Sequence, residues 1–248
     1  MVYDPERPPS RAVSPTRTGD HDVAPHRTGT TPNSGRSTET NGAAGDDAVV
    51  ETGTTVVGVT TDDAAVLAAD QRASLGGRFV TSKAVRKVER VHPTAGVALS
   101  GAVGHIQRFV RTVETEATLY EDRRGRPMSM RALSTFVGGL LGQTPLRVTP
   151  VLAGVDAEGP HLYGIDQAGG VLADDYAAGG SGTQLAYGVL ERRYDPEASV
   201  AAARETAASA VATAAERDTA SGNGLTVATI TDDGVELATA DTVAEVAA

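Results

Sequence analysis

The sequence contains no cysteine and no tryptophan, and its only lysines are Lys83 and Lys87. The lack of cysteine excludes disulfides, thiolate catalysis and cysteine-ligated metal sites. No apolar run approaches the roughly 18 residues that a membrane-spanning helix needs, and the N-terminus lacks the apolar segment of a secretory signal. We therefore expect a soluble protein of the cytoplasm.

Positive charge is also scarce. The chain has 32 Asp and Glu residues against 22 Lys and Arg, which gives a formal net charge of -10 at pH 7. This charge argues against nucleic acid or an anionic membrane as the main partner. Because salt screens repulsion between surface charges, an acid-rich and lysine-poor composition indicates a halophilic source.

Residues 1–53 differ in composition from the rest of the chain. They hold half of the twelve prolines and contain no Leu, Ile or Phe, so they cannot bury enough apolar surface to offset chain entropy. Composition of this kind favours a disordered tail. The abrupt end at the Gly53-Thr54 junction also permits a second interpretation, in which 1–53 is a removable propeptide and 54–248 is the folded domain.

From Thr54 onward the pattern predicts short strands and amphipathic helices. The Asp62-Asp63 pair separates two apolar runs, 54–61 and 64–70, which is typical of a tight hairpin. Two helices are predicted after the first strands and two more after a second group of strands, which favours an α+β fold with four αββα layers. The further predicted strands are 78–82, 86–91, 95–100, 148–156, 159–166, 171–178, 224–231 and 234–239, and the helices begin at Gly101 and about 130 or span 181–193 and 197–216.

The usual hydrolase and metal motifs do not account for this chain. None of His92, His105 and His161 stands in a G-x-S-x-G context, and the chain has no H-E-x-x-H pair. The glycine-rich segment 179–182 lacks the Gly-Lys-Ser/Thr of a phosphate loop. We therefore expect neither a bound metal nor a cofactor.

A threonine nucleophile is compatible with the residues present. If the chain is cut before Thr54, a free amine with a pKa of about 7.7 to 8.0 lies beside the Thr54 hydroxyl and can act as its base. Lys87, held by Asp70 on a neighbouring strand, can supply positive charge to the hydroxyl. The N–H of Gly101, at a predicted helix start, can stabilise an oxyanion.

Six ordered motifs resemble the β subunits of the archaeal 20S proteasome, and they extend from Thr54 almost to the C-terminus. They occupy 53–58, 69–74, 85–88, 100–104, 187–191 and 217–222. The resemblance implies an N-terminal-nucleophile hydrolase fold and a threonine-type endopeptidase. The family usually has aspartate after the glycine that corresponds to Gly104, whereas this chain has His105, at a position without an implied catalytic role.

The resemblance also implies a role for each matching residue. Thr54 is the nucleophile and its freed amine the base, Asp70 and Lys87 form an ion pair, and the Gly101 N–H binds the oxyanion. The remaining matches are Ser181, Asp218 and Ser221 around the amine, Arg72 beside Asp70, and Ala73 and Leu99 in an apolar substrate pocket that selects large hydrophobic residues.

The implied protein is a zymogen that cuts its own Gly53-Thr54 bond. Its implied partners are other β subunits in a heptameric ring, proteasome α subunits, an AAA ATPase regulator and unfolded protein substrates. Two alternatives remain open at this point: an HslV-type threonine protease, and a non-catalytic ring subunit. The first is disfavoured by the 217–222 motif and its following hairpin, and the second by the joint presence of Thr54, Asp70 and Lys87.

Overall fold

The computed structural model describes residues 51–247, so the predicted leader lies almost entirely outside the described residues. The strands in chain order are β1 Glu51–Thr52, β2 Thr55–Thr60, β3 Ala65–Asp70, β4 Ala73–Leu75, β5 Phe79–Ser82, β6 Val88–His92, β7 Ala95–Ala102, β8 Val148–Asp156, β9 Gly159–Ile165, β10 Val171–Ala173, β11 Tyr176–Gly180, β12 Leu225–Thr231 and β13 Gly234–Ala240. The helices are α1 Val103–Arg124, α2 Met130–Gln143, α3 Thr183–Arg193, α4 Val200–Ala215 and α5 Val243–Ala247.

The strands form two antiparallel sheets. The first has eight strands in the order β10-β9-β8-β7-β1-β4-β5, with β6 also paired to β7, and the second has five in the order β11-β2-β3-β12-β13. Strand β3, with the sequence AVLAAD, is buried along its whole length at the centre of the second sheet. A continuously apolar strand of this kind is stable only when both faces of the sheet are covered.

Three apolar clusters define the layers. One lies between α1, α2 and the eight-stranded sheet and contains Phe109 and Leu133. Another joins the two sheets through Leu67 and Ile230, and a third lies between the five-stranded sheet and α3 and α4. The order of layers is therefore helices, sheet, sheet, helices, which confirms the predicted αββα sandwich.

Helix α4 shows how the composition suits this packing. Ser199 caps its N-terminus, where the Ser199 side chain accepts a hydrogen bond from the Ala202 N–H. Alanines at 203, 207, 210 and 214 are buried against the sheet and α3, since small side chains allow close approach of helix and strand. The helix thus covers β2 and β3, the two strands that lead into the site described below.

The segment 171–178, predicted as one strand, is two strands in different sheets. Strand β10 belongs to the eight-stranded sheet and β11 to the five-stranded sheet, and the chain crosses between them at Asp174 and Asp175. The first helix begins at Val103 rather than at Gly101. The structure also contains β1, β4 and α5, which were not predicted; each has five residues or fewer, too few for a periodic pattern. No helix within 51–247 is long and apolar enough to cross a membrane.

Candidate active site

The site lies where the ends of several strands from both sheets meet. Thr54 immediately precedes β2, and Asp70 is the last residue of β3. Because β2 and β3 are antiparallel, with Val56 opposite Ala69, the start of one strand lies beside the end of the other. Lys87 enters from the other sheet, directly before β6.

Thr54, Asp70 and Lys87 form a buried triangle. The Thr54 hydroxyl donates to Asp70 Oδ1 at 2.9 Å, and Lys87 Nζ lies 2.9 Å from the same oxygen. Lys87 Nζ also donates a hydrogen bond to Thr54 Oγ1. Each of the three residues is at most 1% exposed, so the hydroxyl is held between an ammonium and a carboxylate away from bulk water.

The Asp70 carboxylate is fixed by further backbone donors. Oδ1 also accepts from the Thr55 N–H, and Oδ2 accepts from the N–H groups of Arg72 and Gly222, each at 2.9 Å. Hydrogen bonds to an ionised acceptor are stronger than neutral ones. The carboxylate is therefore held in one orientation toward Thr54 and Lys87.

The surroundings of Lys87 change its acidity. Burial of the side chain lowers the pKa of Lys87 from its ordinary value, and the negative charge of Asp70, which favours the ammonium, only partly opposes this effect. Lys87 therefore gives up its proton more readily than an exposed lysine does. A neutral Lys87 in contact with Thr54 Oγ1 can accept the hydroxyl proton.

A second polar cluster adjoins the backbone nitrogen of Thr54. The Thr54 N–H donates to Ser181 Oγ at 3.1 Å, and the Ser181 hydroxyl lies 2.6 Å from Asp218 Oδ2. The Ser221 hydroxyl lies at the same distance from the same oxygen. The structure thus brings the three matching residues of this group together on the amine side of Thr54.

Arg72 stabilises the loop that follows α4 through hydrogen bonds. Its guanidinium donates to Asn223 Oδ1 at 2.8 Å and to the Thr219 carbonyl at 3.0 Å. A Cβ on Gly222 would come within 2.5 Å of the guanidinium. Arg72 therefore holds the loop that carries Asp218 and Ser221 against the end of β3.

Thr55 was not predicted as a site residue. Its hydroxyl lies 2.8 Å from Ser221 Oγ, and the residue is fully buried. The sequence contained a usable signal, because a hydroxyl on a continuously buried strand needs a hydrogen-bond partner.

Gly101 lies near the end of β7, two residues before α1 begins. Gly101 has φ +136°, and a Cβ there would lie 2.1 Å from the Arg147 carbonyl oxygen, so this conformation favours glycine. The N-cap residue Ala102 has no side-chain oxygen, and 103–106 contains no acid to offset the positive end of the helix dipole. His105 Nδ1 accepts from the Arg147 N–H at 2.9 Å, which ties α1 to the start of β8.

A cavity of about 500 Å³ opens between residues 85–89, which flank Lys87, and the first turns of α1. The two residues predicted for a substrate pocket are not part of its lining: Leu99 is fully buried in the core and Ala73 is 3% exposed on β4. The lining combines apolar and charged residues: Val85, Val103, Ile106, Val110, Gln107, Arg86, Glu89, Arg111 and Glu114.

Gly53, on the other side of the predicted cut, is closely surrounded. A Cβ at this position would lie 1.9 Å from the Cβ of Ala220 and 3.4 Å from Ser181 Oγ. Only glycine fits here without a shift of the 218–221 loop. Within residues 51–247, no group of three or more His, Asp or Glu side chains is arranged to hold a metal ion.

Comparison with known proteins gives a consistent result. The sequence model of the family described as proteasome subunit matches residues 50–230. A proteasome subunit beta from Halomicrobium mukohataei is 55% identical over 196 residues, which cover 78% of this chain and 83% of that protein. One from Halorhabdus utahensis is 54% identical over 198 residues, 79% of this chain and 85% of that protein. Proteasome subunit beta 2 from Haloterrigena turkmenica is 53% identical over 192 residues, 77% of this chain and 81% of that protein.

Proposed function

The chain belongs to the proteasome subunit family as a β subunit of the 20S core, and on this premise we propose that it is a threonine endopeptidase whose nucleophile is Thr54. The observation that supports this proposal is the buried contact of the Thr54 hydroxyl with both Lys87 and Asp70. An ordinary strand threonine needs neither partner.

The first step is cleavage of the chain by itself. Thr54 Oγ1 gives its proton to Lys87 and attacks the Gly53 carbonyl carbon. The bond from that carbon to the Thr54 nitrogen then breaks as the nitrogen takes up this proton, and the acyl group has moved from nitrogen to oxygen. Water then hydrolyses the ester, which leaves a carboxylate on Gly53 and a free amine on Thr54. The Thr54 nitrogen is a non-basic amide before the cut, so Lys87, which contacts the hydroxyl, is the base for this step.

The second step is cleavage of substrates. Thr54 Oγ1 attacks a peptide carbonyl, the C–N bond breaks, and water later releases the acyl group. The freed amine, with an ordinary pKa of about 7.7 to 8.0, transfers the proton to the leaving nitrogen while Ser181 holds it in place. The Gly101 N–H, at the positive end of α1, stabilises the oxyanion.

Strand β1 indicates how an extended substrate binds. It lies between β7 and β4 and is antiparallel to both, with Thr52 opposite Gly101 on one side and Leu75 on the other. A substrate segment in the same place makes main-chain hydrogen bonds that do not depend on its sequence. Such binding requires an extended chain, which supports unfolded proteins as substrates.

The cavity beside Lys87 receives the side chain that precedes the cut bond. Its apolar wall is formed by Val85, Val103, Ile106 and Val110. The charges of Arg86 and Glu89 offset each other, since their side chains are 2.6 Å apart. The pocket therefore favours large apolar side chains over charged ones.

The assembly we propose is a heptameric β ring bounded by α rings and fed by an AAA ATPase, with 1–53 as a propeptide. Exposed apolar side chains on the two edge strands of the eight-stranded sheet support lateral contacts between subunits. Phe79 on β5 is 66% exposed and Leu172 on β10 is 73% exposed. Opposite edges of one subunit can thus meet those of its neighbours.

Thr54→Ala tests this proposal. In the wild type, intact-mass measurement should find a chain that begins at Thr54, and a threonine-directed epoxyketone should label it once. In T54A the leader should stay attached, and labelling and peptidase activity should be absent. A wild type that keeps its leader and does not react would instead support a non-catalytic ring subunit.

A further inference from the structure

We propose that Thr55 is a positioning residue: its hydroxyl sets the direction of the hydrogen bonds through Ser221, Asp218 and Ser181 that orient the Thr54 amine. This inference rests on the proposed function, since it concerns the base of the same reaction. Thr55 touches none of the reacting atoms and acts through its neighbours.

The direction of each hydrogen bond follows from counting hydrogens. An ionised carboxylate only accepts, and a hydroxyl has one hydrogen to donate. Asp218 Oδ2 lies 2.6 Å from both serine hydroxyls. The Thr54 carbonyl oxygen also lies near Ser181 Oγ, but at 3.2 Å. The carboxylate is the closer and stronger acceptor, so Ser181 and Ser221 each donate their hydrogen to it. In the 2.8 Å contact between Thr55 and Ser221, the donor must therefore be Thr55.

This order determines what Ser181 offers to Thr54. Because its own hydrogen points to Asp218, Ser181 Oγ presents a lone pair to the Thr54 nitrogen, 3.1 Å away. In the mature chain the amine donates one hydrogen to Ser181. That bond limits rotation of the amine and leaves its lone pair available to the Thr54 hydroxyl.

The Thr55 hydroxyl is closely surrounded on the side that faces Gly182. A Cβ on Gly182 would lie 2.0 Å from Thr55 Oγ1, so the backbone at 182 packs closely against this side chain and leaves no space for a larger residue. The Thr55 N–H is held in turn by Asp70 Oδ1 at 2.9 Å. One residue therefore connects both halves of the site, the Asp70 half through its backbone and the Asp218 half through its side chain.

Removal of this donor has a specific consequence. Ser221 is fully buried, and without Thr55 its oxygen loses the hydrogen bond that fixes its orientation. A buried acceptor without a partner is unfavourable, so the Ser221 side chain rotates toward another donor. Its hydrogen bond to Asp218 is then no longer held in one geometry. The amine then spends less time in the reactive orientation, while substrate binding on β4 and β7 is unaffected.

The test compares Thr55→Val, which keeps the shape but lacks the hydroxyl, with Thr55→Ser, which keeps the hydroxyl. Both are made in the full chain, and kcat and KM are measured on the assembled particle with an apolar fluorogenic peptide. We expect T55V to lower kcat at least about tenfold, a fraction of the 10²- to 10⁴-fold effect of a general base, with KM within about twofold. T55S should restore kcat to within about threefold of the wild type.

An unchanged kcat in T55V overturns the inference, and so do equal losses in T55V and T55S, which would assign the effect to packing around residue 55 rather than to the hydroxyl. The T55V/S221A double variant should be no slower than S221A alone, whereas additive losses contradict an action through Ser221. If T55V does not assemble, Thr55→Cys, whose thiol is a weaker donor, should give an intermediate kcat, and a wild-type value refutes the proposal. An inactive wild type that the epoxyketone does not label would be a failure of the proposed function instead.

Discussion

A methyl group on residue 53 would lie 1.9 Å from the Cβ of Ala220, so Gly53 passes the 218–221 loop with no space for a side chain. Gly53→Ala should therefore displace the carbonyl that Thr54 attacks. Because a 1 Å misplacement can cost about 100-fold in rate, we expect self-cleavage to slow by at least that factor, measured by intact mass over time.

The control for G53A is a chain in which 1–53 is replaced by a tag that another protease removes directly before Thr54. It should be fully active toward peptides, since residue 53 has no part in the second step. Normal self-cleavage in G53A would mean that the 218–221 loop shifts at little energetic cost, and it would contradict the expected displacement of the Gly53 carbonyl.

Lys87 and Lys83 provide a matched pair, because they are the only lysines in the chain. Lys87→Met should abolish self-cleavage, since it removes the base of that step, and peptidase activity, since it removes the positive charge beside the Thr54 hydroxyl. It should also destabilise the fold by about 3–5 kcal/mol, because Asp70 then remains buried without its partner. Lys83→Met should change neither property, since Lys83 is exposed. Thermal unfolding and peptide assays distinguish loss of chemistry from loss of fold.

The pH dependence of self-cleavage should report on Lys87 alone, since the uncut chain has no amine at Thr54. Burial lowers the pKa of Lys87, and only its neutral form accepts a proton. The rate should therefore rise with pH and level off once the pH exceeds that lowered pKa, below the range in which an exposed lysine titrates. Pulse-labelled precursor analysed at a series of pH values measures this, and a rate that falls with rising pH would contradict the role of Lys87.

Peptide preference follows from the cavity wall. Substrates with Phe or Leu before the cut bond should be cleaved faster than those with Arg or Glu, by about 10-fold or more, because burying an apolar side chain is worth about 1.5–3 kcal/mol and a charged one is costly to desolvate. Val103→Asp, on the cavity wall but outside the proton-transfer groups, should reduce the rate for Phe selectively. Equal rates for all four peptides would mean that the substrate side chain before the cut bond does not bind in this cavity.

The fold could be predicted from sequence where the chain repeats one pattern over many residues. The buried run of β3, the 3.6-residue period of α1 and α2, and the order of two helices after each group of strands were sufficient to predict the four layers. The split of 171–178 was missed because Asp174 and Asp175 interrupt an otherwise strand-like segment without a glycine or proline. Strand β1 was missed because its pairing with β4 and β7 depends on partners distant in sequence.

The candidate site could be predicted only in part. The resemblance supplied Thr54, Asp70, Lys87, Ser181, Asp218 and Ser221, and the structure brings them together; their roles remain predictions. Thr55 was missed because an alternating or continuous strand pattern says nothing about which buried hydroxyl meets another. The wall of the cavity was also missed, because it combines residues near Lys87 with one face of α1, a juxtaposition set by packing alone.

The burial of Lys87 and Asp70 has a consequence at high ionic strength. At about 1 M salt the Debye length is only about 3 Å, so surface pairs such as Arg193–Glu205, both nearly half exposed, contribute little. Counter-ions cannot reach a pair whose side chains are each 1% exposed. The Thr54 hydroxyl, in contact with both groups, therefore experiences the same local field in dilute buffer as in concentrated salt, and salt acts on this protein through its surface charges.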